Sequence, residues 1–252
     1  MATTSKPQFR AVIVGGGPVG LCLAHAFTLA GIDYVLLERR ETPVEPSGFG
    51  LALWPHGVRI LDQLGLLEEG REMSLLMKDK SNLRPDGSEM AYSTLYEQIE
   101  QNHGHPWMLF HRQKLLELLY KRLAETETRV LTKKKVTSIE THPDGVKVHC
   151  DDGSIVEGSI AVGCDGVHSR VRGIMENLRL KASGKGEMRN GSGRTPMAAQ
   201  YQLLAGYLPR IPHMQPGRIW EVRDNGTSFQ IFMLEQEGWF LVYKRLPEPL
   251  LE

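Results

Sequence analysis

"AVIVGGGPVGLCLAHAFTLAGIDYVLLERR", residues 11–40, decides how the rest of the chain is read. The apolar run "FRAVIV" at 9–14 predicts a short strand buried on both faces, as in a parallel sheet. A glycine cluster follows, and "PVGLCLAHAFTLAG" reads as a helix that Gly31 ends. "IDYVLLER" is a second buried strand, so the stretch is one β-α-β unit. Gly15, Gly17 and Gly20 fit G-x-G-x-x-G between strand and helix. In that pattern the first glycine makes the tight turn and the second lets a pyrophosphate approach the backbone. The third lets helix and strand pack closely. The helix N-terminus adds unpaired N–H groups and partial positive charge. Glu38, 18 residues after Gly20, ends the second strand, where a carboxylate accepts ribose hydroxyls and repels an extra phosphate. The predicted ligand is FAD or NAD.

The chain has 252 residues, enough for one large domain or two small ones. Lys plus Arg and Asp plus Glu both number 30, and this balance argues against a general nucleic-acid binder. Cys22, Cys150 and Cys164 stand far apart without metal-ligand spacing, which suits a reducing compartment. "MATTSKPQFR" lacks the apolar core of a secretory signal, and glycines, a proline and a histidine interrupt residues 11–37. The expectation is an intracellular chain with no transmembrane segment.

Further along, "GFGLALWPHGVRILDQLGLLEEG" is a glycine-broken segment leading into a helix with Ile60, Leu61 and Leu64 on one face. Residues 78–106 are polar, with a turn at 85–87 and no strong period. "HRQKLLELLYKRLAE" (111–125) is an amphipathic helix carrying Leu115, Leu118, Leu119 and Leu123. "KKVTSIETH", "VKVHC" and "SIVEGSIAVGCDG" read as a hairpin returning to one more buried strand. The glycine-rich, basic run at 179–195 reads as a loop, with Arg194 at its end a solvated charge. "AAQYQLLAGYL", "GRIWEV", "TSFQIFML" and "GWFLVYKRL" alternate like strands.

Four of these stretches together carry a resemblance: "GGGPVGLCLAHAF…GIDYVLLER", "FHRQKLLELLYKRL", "VTSIETHPDGVKVHCDDGS" and "GCDGVHSRVR". The chain resembles class A flavoprotein monooxygenases of the p-hydroxybenzoate hydroxylase fold, and more narrowly the fungal paxilline-type epoxidases of meroterpenoid and indole-diterpene pathways. The resemblance implies an α/β fold, with a Rossmann-like FAD-binding domain over 9–80 and 106–178. An interleaved substrate β-sheet domain takes 81–105 and 179–252. It implies FAD contacts at Arg112, at Asp165 and Gly166, and at Ala52 in the glycine-rich loop. Trp54 and Pro55 are read as packing residues and His56 as structural. Tyr201 in "AAQYQLL" matches a tyrosine on a strand facing the substrate, although Gln200 stands where relatives often carry Glu. A phenol packed with its hydroxyl outward is the competing reading of Tyr201.

The implied chemistry uses FAD, NADPH as electron donor and O2. One oxygen atom goes to an alkene or an activated ring of a lipophilic prenylated, terpenoid or polyketide substrate. The family's third FAD motif, a Gly-Asp segment followed by proline, has no counterpart here, so the expected fold is truncated before it. The implied location is cytoplasmic or peripheral at the ER membrane. A non-catalytic or partner-dependent flavin-binding remnant and an NAD dehydrogenase remain as alternatives.

Overall fold

The computed structural model describes residues 9–46, 48–123, 128–184 and 198–251. The chain runs β1 (Arg10–Val14), α1 (Pro18–Leu29), β2 (Asp33–Leu37), β3 (Gly50–Leu53), α2 (Pro55–Gln63) and α3 (Leu67–Met73). Next come β4 (Leu75–Leu76), β5 (Asp79–Leu83), β6 (Glu89–Ser93), α4 (Leu95–His103), β7 (Met108–His111) and α5 (Arg112–Leu123). β8 (Val130–Leu131), β9 (Val136–His142), β10 (Gly145–Cys150), β11 (Ile155–Gly158), β12 (Ile160–Gly163) and α6 (Arg170–Ala182) follow. The last strands are β13 (Ala198–Pro209), β14 (Arg218–Asp224), β15 (Thr227–Met233) and β16 (Glu237–Leu251). Two compact units form, Met1–Pro46 with Leu115–Arg194, and Ser47–Lys114 with Thr195–Glu252.

The first unit holds a parallel sheet in the order β12-β1-β2-β8 and an antiparallel sheet in the order β11-β10-β9. Ala11, Val12 and Ile13 are wholly buried, as a central parallel strand requires. Val12, Val14, Val35 and Leu37 alternate onto one face, where they pack with Val136, Val148, Cys150 and Val171. α1 packs on β1 and β2 and buries Leu21 and Ala24. It ends as the sequence predicts. Gly31 takes a left-handed φ of 66°, its N–H donates to the Thr28 carbonyl, and that of Ile32 donates to Phe27. All four leucines named for the 111–125 helix are buried in α5, and Leu116 joins them.

Two readings of this unit are corrected. β12 is the edge of its sheet and only partly covered, with Ile160 47% exposed, because among the described residues it pairs in that sheet with β1 alone. Residues 179–182 are helical. Ser169 caps α6 by accepting the Arg172 N–H, and the helix runs on until Ser183 and Gly184, with φ 69° at the glycine. Residues 185–195, including Arg194, lie outside the described residues.

The second unit holds a six-stranded sheet in the order β13-β16-β15-β14-β5-β6 and a small sheet in the order β3-β7-β4. Its core is Met77, Trp107, Leu109, Ile219, Phe232, Leu234 and Trp239. Gly50 belongs to this core by necessity: a Cβ there would stand 2.7 Å from the Trp239 ring. Residues 78–106, polar and without a strong period, form the β5–β6 hairpin around the expected turn at 85–87, then α4. The helix after the glycine-broken segment buries Pro55, Val58 and Leu61, whereas Ile60 is 48% exposed. α2 therefore turns a different stripe inward. Packing groups residues 48–80 with this sheet, through β3 on β7 and β5 on β14, although the sequence division runs 9–80. A boundary of function need not follow a boundary of packing.

Candidate functional site

The glycine loop in the first unit has distinct mechanical jobs at each position. Gly15 has φ 111°, and a Cβ there would meet the Cys164 carbonyl oxygen at 2.5 Å. A Cβ on Gly20 would lie 1.9 Å from the Gly15 oxygen, so helix and loop touch backbone to backbone. A Cβ on Gly17 would meet nothing within 4 Å. The loop is closed behind Gly15 and Gly20 and open in front of Gly17. Gly17 is also the N-cap of α1, with Pro18 in the first turn, no side-chain cap and no acidic residue there. The first-turn N–H groups keep their capacity for an anion.

Glu38 stands beside this loop. Its Oε2 accepts the Gly16 N–H at 2.7 Å and its Oε1 accepts the Arg40 N–H at 2.9 Å. The residue is 5% exposed. A carboxylate offers about four acceptor positions, so two backbone donors orient it and leave capacity for hydroxyls. Gly16 was missed from the sequence. A Cβ there would stand 2.9 Å from Oε2, and only the third adjacent glycine of the run signals this.

Asp165 and Gly166 follow β12, next to the same loop: the Cβ of a residue replacing Gly15 would be 2.9 Å from the Asp165 Cα. Asp165 accepts from Ser169 Oγ at 2.5 Å, Arg170 N at 2.6 Å and Val171 N at 3.1 Å. Its carboxylate thus organises the start of α6. Gly166 has φ 82° and open space at its Cβ position. Gly15, Gly16, Gly17, Gly20, Glu38, Asp165 and Gly166 form one neighbourhood.

Arg112 and Ala52 belong to the second unit. Arg112 opens α5, its N–H donates to the Phe49 carbonyl at 3.0 Å, and a Cβ on Gly48 would meet its stem at 2.7 Å. Ala52 is exposed on β3, opposite Leu109 of β7. Pro55 is buried, while Trp54 is 46% exposed at the N-cap of α2.

Tyr201 lies apart from these, on β13, 56% exposed and opposite Arg245. It lines a cavity of about 570 Å³ with Glu221, Arg223, Ser228, Gln230 and Tyr243. Glu221 is 2% exposed and accepts from Lys80 Nζ, Arg223 Nε and Ser228 Oγ. Burial pushes its carboxyl up, but these hydrogen bonds and the Lys80 charge outweigh burial and bring it down to about 2. No local sequence pattern marks this cluster.

A family model described as "FAD binding domain" matches residues 8–199. The chain belongs to that family. The resemblance to class A flavoprotein monooxygenases is borne out by its relatives. The FAD-dependent monooxygenase srdH of Neurospora crassa is 44% identical over 171 residues, covering 68% of this chain and 38% of the relative. The FAD-dependent monooxygenase spyC of Aspergillus fumigatus is 37% identical over 245 residues, covering 96% and 50%. This family member thus spans half or less of the length of these curated relatives. Among solved structures, HpxO of Klebsiella pneumoniae, crystallised with FAD and uric acid, shares the fold with a TM-score of 0.79 at 22% identity. It covers all of this chain, which corresponds to 60% of that one. The mixed α/β fold, with a Rossmann-like unit and an interleaved β-sheet unit, is that of FAD-binding monooxygenases. Among the described residues no helix is long and apolar enough to cross a membrane.

Proposed function

We propose that this chain carries the dinucleotide site and substrate sheet of an NADPH- and O2-using FAD-dependent monooxygenase. Its substrate on this reading is a lipophilic prenylated, terpenoid or polyketide molecule, oxygenated by epoxidation or hydroxylation inside the cell. The observation that carries the proposal is the open space in front of Gly17, at an uncapped helix N-terminus beside the fixed carboxylate of Glu38. A dinucleotide fits this donor set. The α1 N–H groups take a diphosphate, and Gly15 and Gly20 keep the loop low enough for it to approach. Glu38 accepts ribose hydroxyls and, as an anion, disfavours a phosphorylated ribose.

When bound, FAD supplies the redox chemistry and oxygen activation that side chains lack. The protein's own contribution is binding and orientation. Arg112 offers a fork of N–H donors to the cofactor, whether at phosphate or at a ring carbonyl. Ala52 is a further cofactor contact on this reading, a small side chain exposed on β3. Asp165, by holding the start of α6, positions Gly166. Residues 9–80 and 106–178 serve the flavin on this reading, and 81–105 with 179–252 serve the substrate. Tyr201 donates a hydrogen bond to substrate from the sheet.

The test is an absorption spectrum of the purified chain before and after FAD is added, followed by NADPH consumption with a lipophilic substrate. A yellow protein with substrate-dependent NADPH oxidation is expected. A colourless chain that takes up no FAD refutes the proposal. Tyr201→Phe is expected to lower turnover roughly tenfold or more, within the range for a lost proton or hydrogen-bond donor. Unchanged turnover removes Tyr201 from the mechanism.

A further inference from the structure

The face of the six-stranded sheet opposite Ile219, Phe232 and Trp239 carries two rows of side chains that cross five strands. In the first, Leu204 on β13 pairs with Val242 on β16, Val242 with Phe229 on β15, Phe229 with Val222 on β14, and Val222 with Leu83 on β5. Two residues along the strands, Gly206, Phe240, Ile231, Trp220 and Ser81 form the second row in the same way. No charged residue stands in either row. Leu204 is 62% exposed, and Val242, Phe229, Val222, Phe240, Ile231 and Trp220 are all partly exposed. An apolar face of this width marks a surface that another polypeptide covers.

Charges bound the rows at both ends. Beyond the second row, Arg218 and Asp79 satisfy each other through their fork. Beyond the first row come Gln202, Lys244, Thr227 and Asp224 in register. Lys244 and Asp224 stand on either side of β15, and neither forms an ion pair among the described residues. Asp224 closes the β14–β15 turn, so it also borders the cavity on the Tyr201 face. β15 is the middle one of the five strands. A two-fold axis laid along it sets β16 over β14, and β13 over β5, of a second copy. Val242 then meets Val222 of that copy, Phe240 meets Trp220, and Phe229 and Ile231 meet their own counterparts. Lys244 of each copy meets Asp224 of the other. The face is complementary to itself, as an isologous interface requires. Five strands about 4.8 Å apart, with seven residues rising about 3.3 Å each, give a patch of roughly 550 Å². Two copies together bury about 1,100 Å², above the ~1,000 Å² that a stable interface needs.

We infer that this chain forms a two-fold dimer through the Phe229 face, two sheets packed face to face about an axis along β15. Aligned sheets lie about 10 Å apart, with side chains of the two inner faces interdigitating. The apolar rows supply the binding. The two Lys244–Asp224 pairs fix the register and select this axis. An axis across the strands would set Asp224 over Arg218, already committed to Asp79, and would leave Lys244 against Gly238 without an anion. The inference goes beyond the proposed function and does not depend on it.

The experiment is sedimentation velocity of the full chain over a concentration series from about 1 to 100 μM. A reversible dimer is expected, with a Kd of about 10 μM or tighter. Phe229→Lys sets two cations against each other across the axis and is expected to raise that Kd about a hundredfold or more. Lys244→Glu and Asp224→Lys, at exposed positions, are each expected to raise it about tenfold, and the double exchange to return it to within about threefold of wild type. Far-UV circular dichroism of the variants is expected to match wild type; should Phe229→Lys fail to fold, the exchange series decides. A monomer throughout the series overturns the inference and leaves the face to a different partner. A dimer indifferent to Phe229→Lys, a double exchange that restores nothing, or open-ended assembly overturns it too. A dimer without FAD uptake defeats the monooxygenase reading alone. FAD uptake by a monomer defeats this inference alone.

Discussion

Replacing Glu221 with glutamine removes the charge at the centre of the sheet while keeping its shape. The carboxyl falls from an ordinary 4.5 to about 2 in the folded chain, so ionised Glu221 favours folding by about 3 kcal/mol at neutral pH. Breaking a buried charge cluster by removing one member costs a similar 3–5 kcal/mol or so elsewhere, because the remaining charges lose their counter-ion. The sign follows from linkage. A carboxyl whose folded pKa is depressed adds stability that is full above 4.5 and is lost as pH falls toward about 2. Urea unfolding of wild type and Glu221→Gln between pH 7 and pH 2.5 isolates this group, since every other carboxylate titrates in both proteins. The difference in unfolding free energy is expected near 3 kcal/mol at pH 7 and should shrink steadily below pH 4.5. A difference that stays constant with pH, or is below about 1 kcal/mol at pH 7, refutes the reading that Glu221 is held as an anion.

Gly20→Ala pushes a methyl to 1.9 Å from the Gly15 oxygen and should cost about 1–3 kcal/mol in thermal unfolding, with loss of FAD uptake. Gly17→Ala meets no atom within 4 Å, so its melting temperature should match wild type while FAD affinity falls about tenfold or more in a flavin titration. Burial pushes the His25 imidazole pKa below 6.5, Arg122 adds to this, and the hydrogen bond to the Leu119 carbonyl opposes it. Its folded-state contribution is full above pH 6.5 and declines below. The stability advantage of wild type over His25→Leu should therefore narrow between pH 7.5 and pH 5.5 in melting curves. Arg218 forks onto Asp79 at 2.5 and 3.1 Å and lies 4.9 Å above the Tyr92 ring. Arg218→Lys should cost about 1–3 kcal/mol in urea unfolding, and Tyr92→Phe about 1 kcal/mol through its lost bond to Asp79.

The nucleotide unit was legible because its signals are local. Ala11 to Val14 form an unbroken apolar run, the glycines punctuate it, and Glu38 falls at the next strand end. The β5–β6 hairpin was illegible because its inward positions are polar. Asp79 and Ser81 are buried, and the partner that satisfies Asp79, Arg218, lies 139 residues away. The Glu221 cluster hides for the same reason, since Lys80 is 141 residues distant in sequence. Ile60 was misassigned because an apolar residue next to Leu61 fits a helical stripe equally well on either side. The loop reading of 179–182 fails because lysine and alanine there favour a helix as readily as a loop until Gly184 stops it. Among the site residues, the glycines and Glu38 could be read from spacing. Gly16 and Arg223 could not, because what distinguishes each is a buried carboxylate whose burial spacing does not mark: Glu38 after β2 for Gly16, and Glu221 on its own strand for Arg223.

The order of strands also sets a timetable for synthesis. β1 pairs in parallel with β2 immediately, but its other edge waits for Ile160 to Gly163. At about 5–20 residues per second, a ribosome needs on the order of ten seconds to deliver that second neighbour. Until then the edge of Val12 and Ile13 is a sticky ribbon without a mate, and holdase chaperones have their window on the nascent chain there.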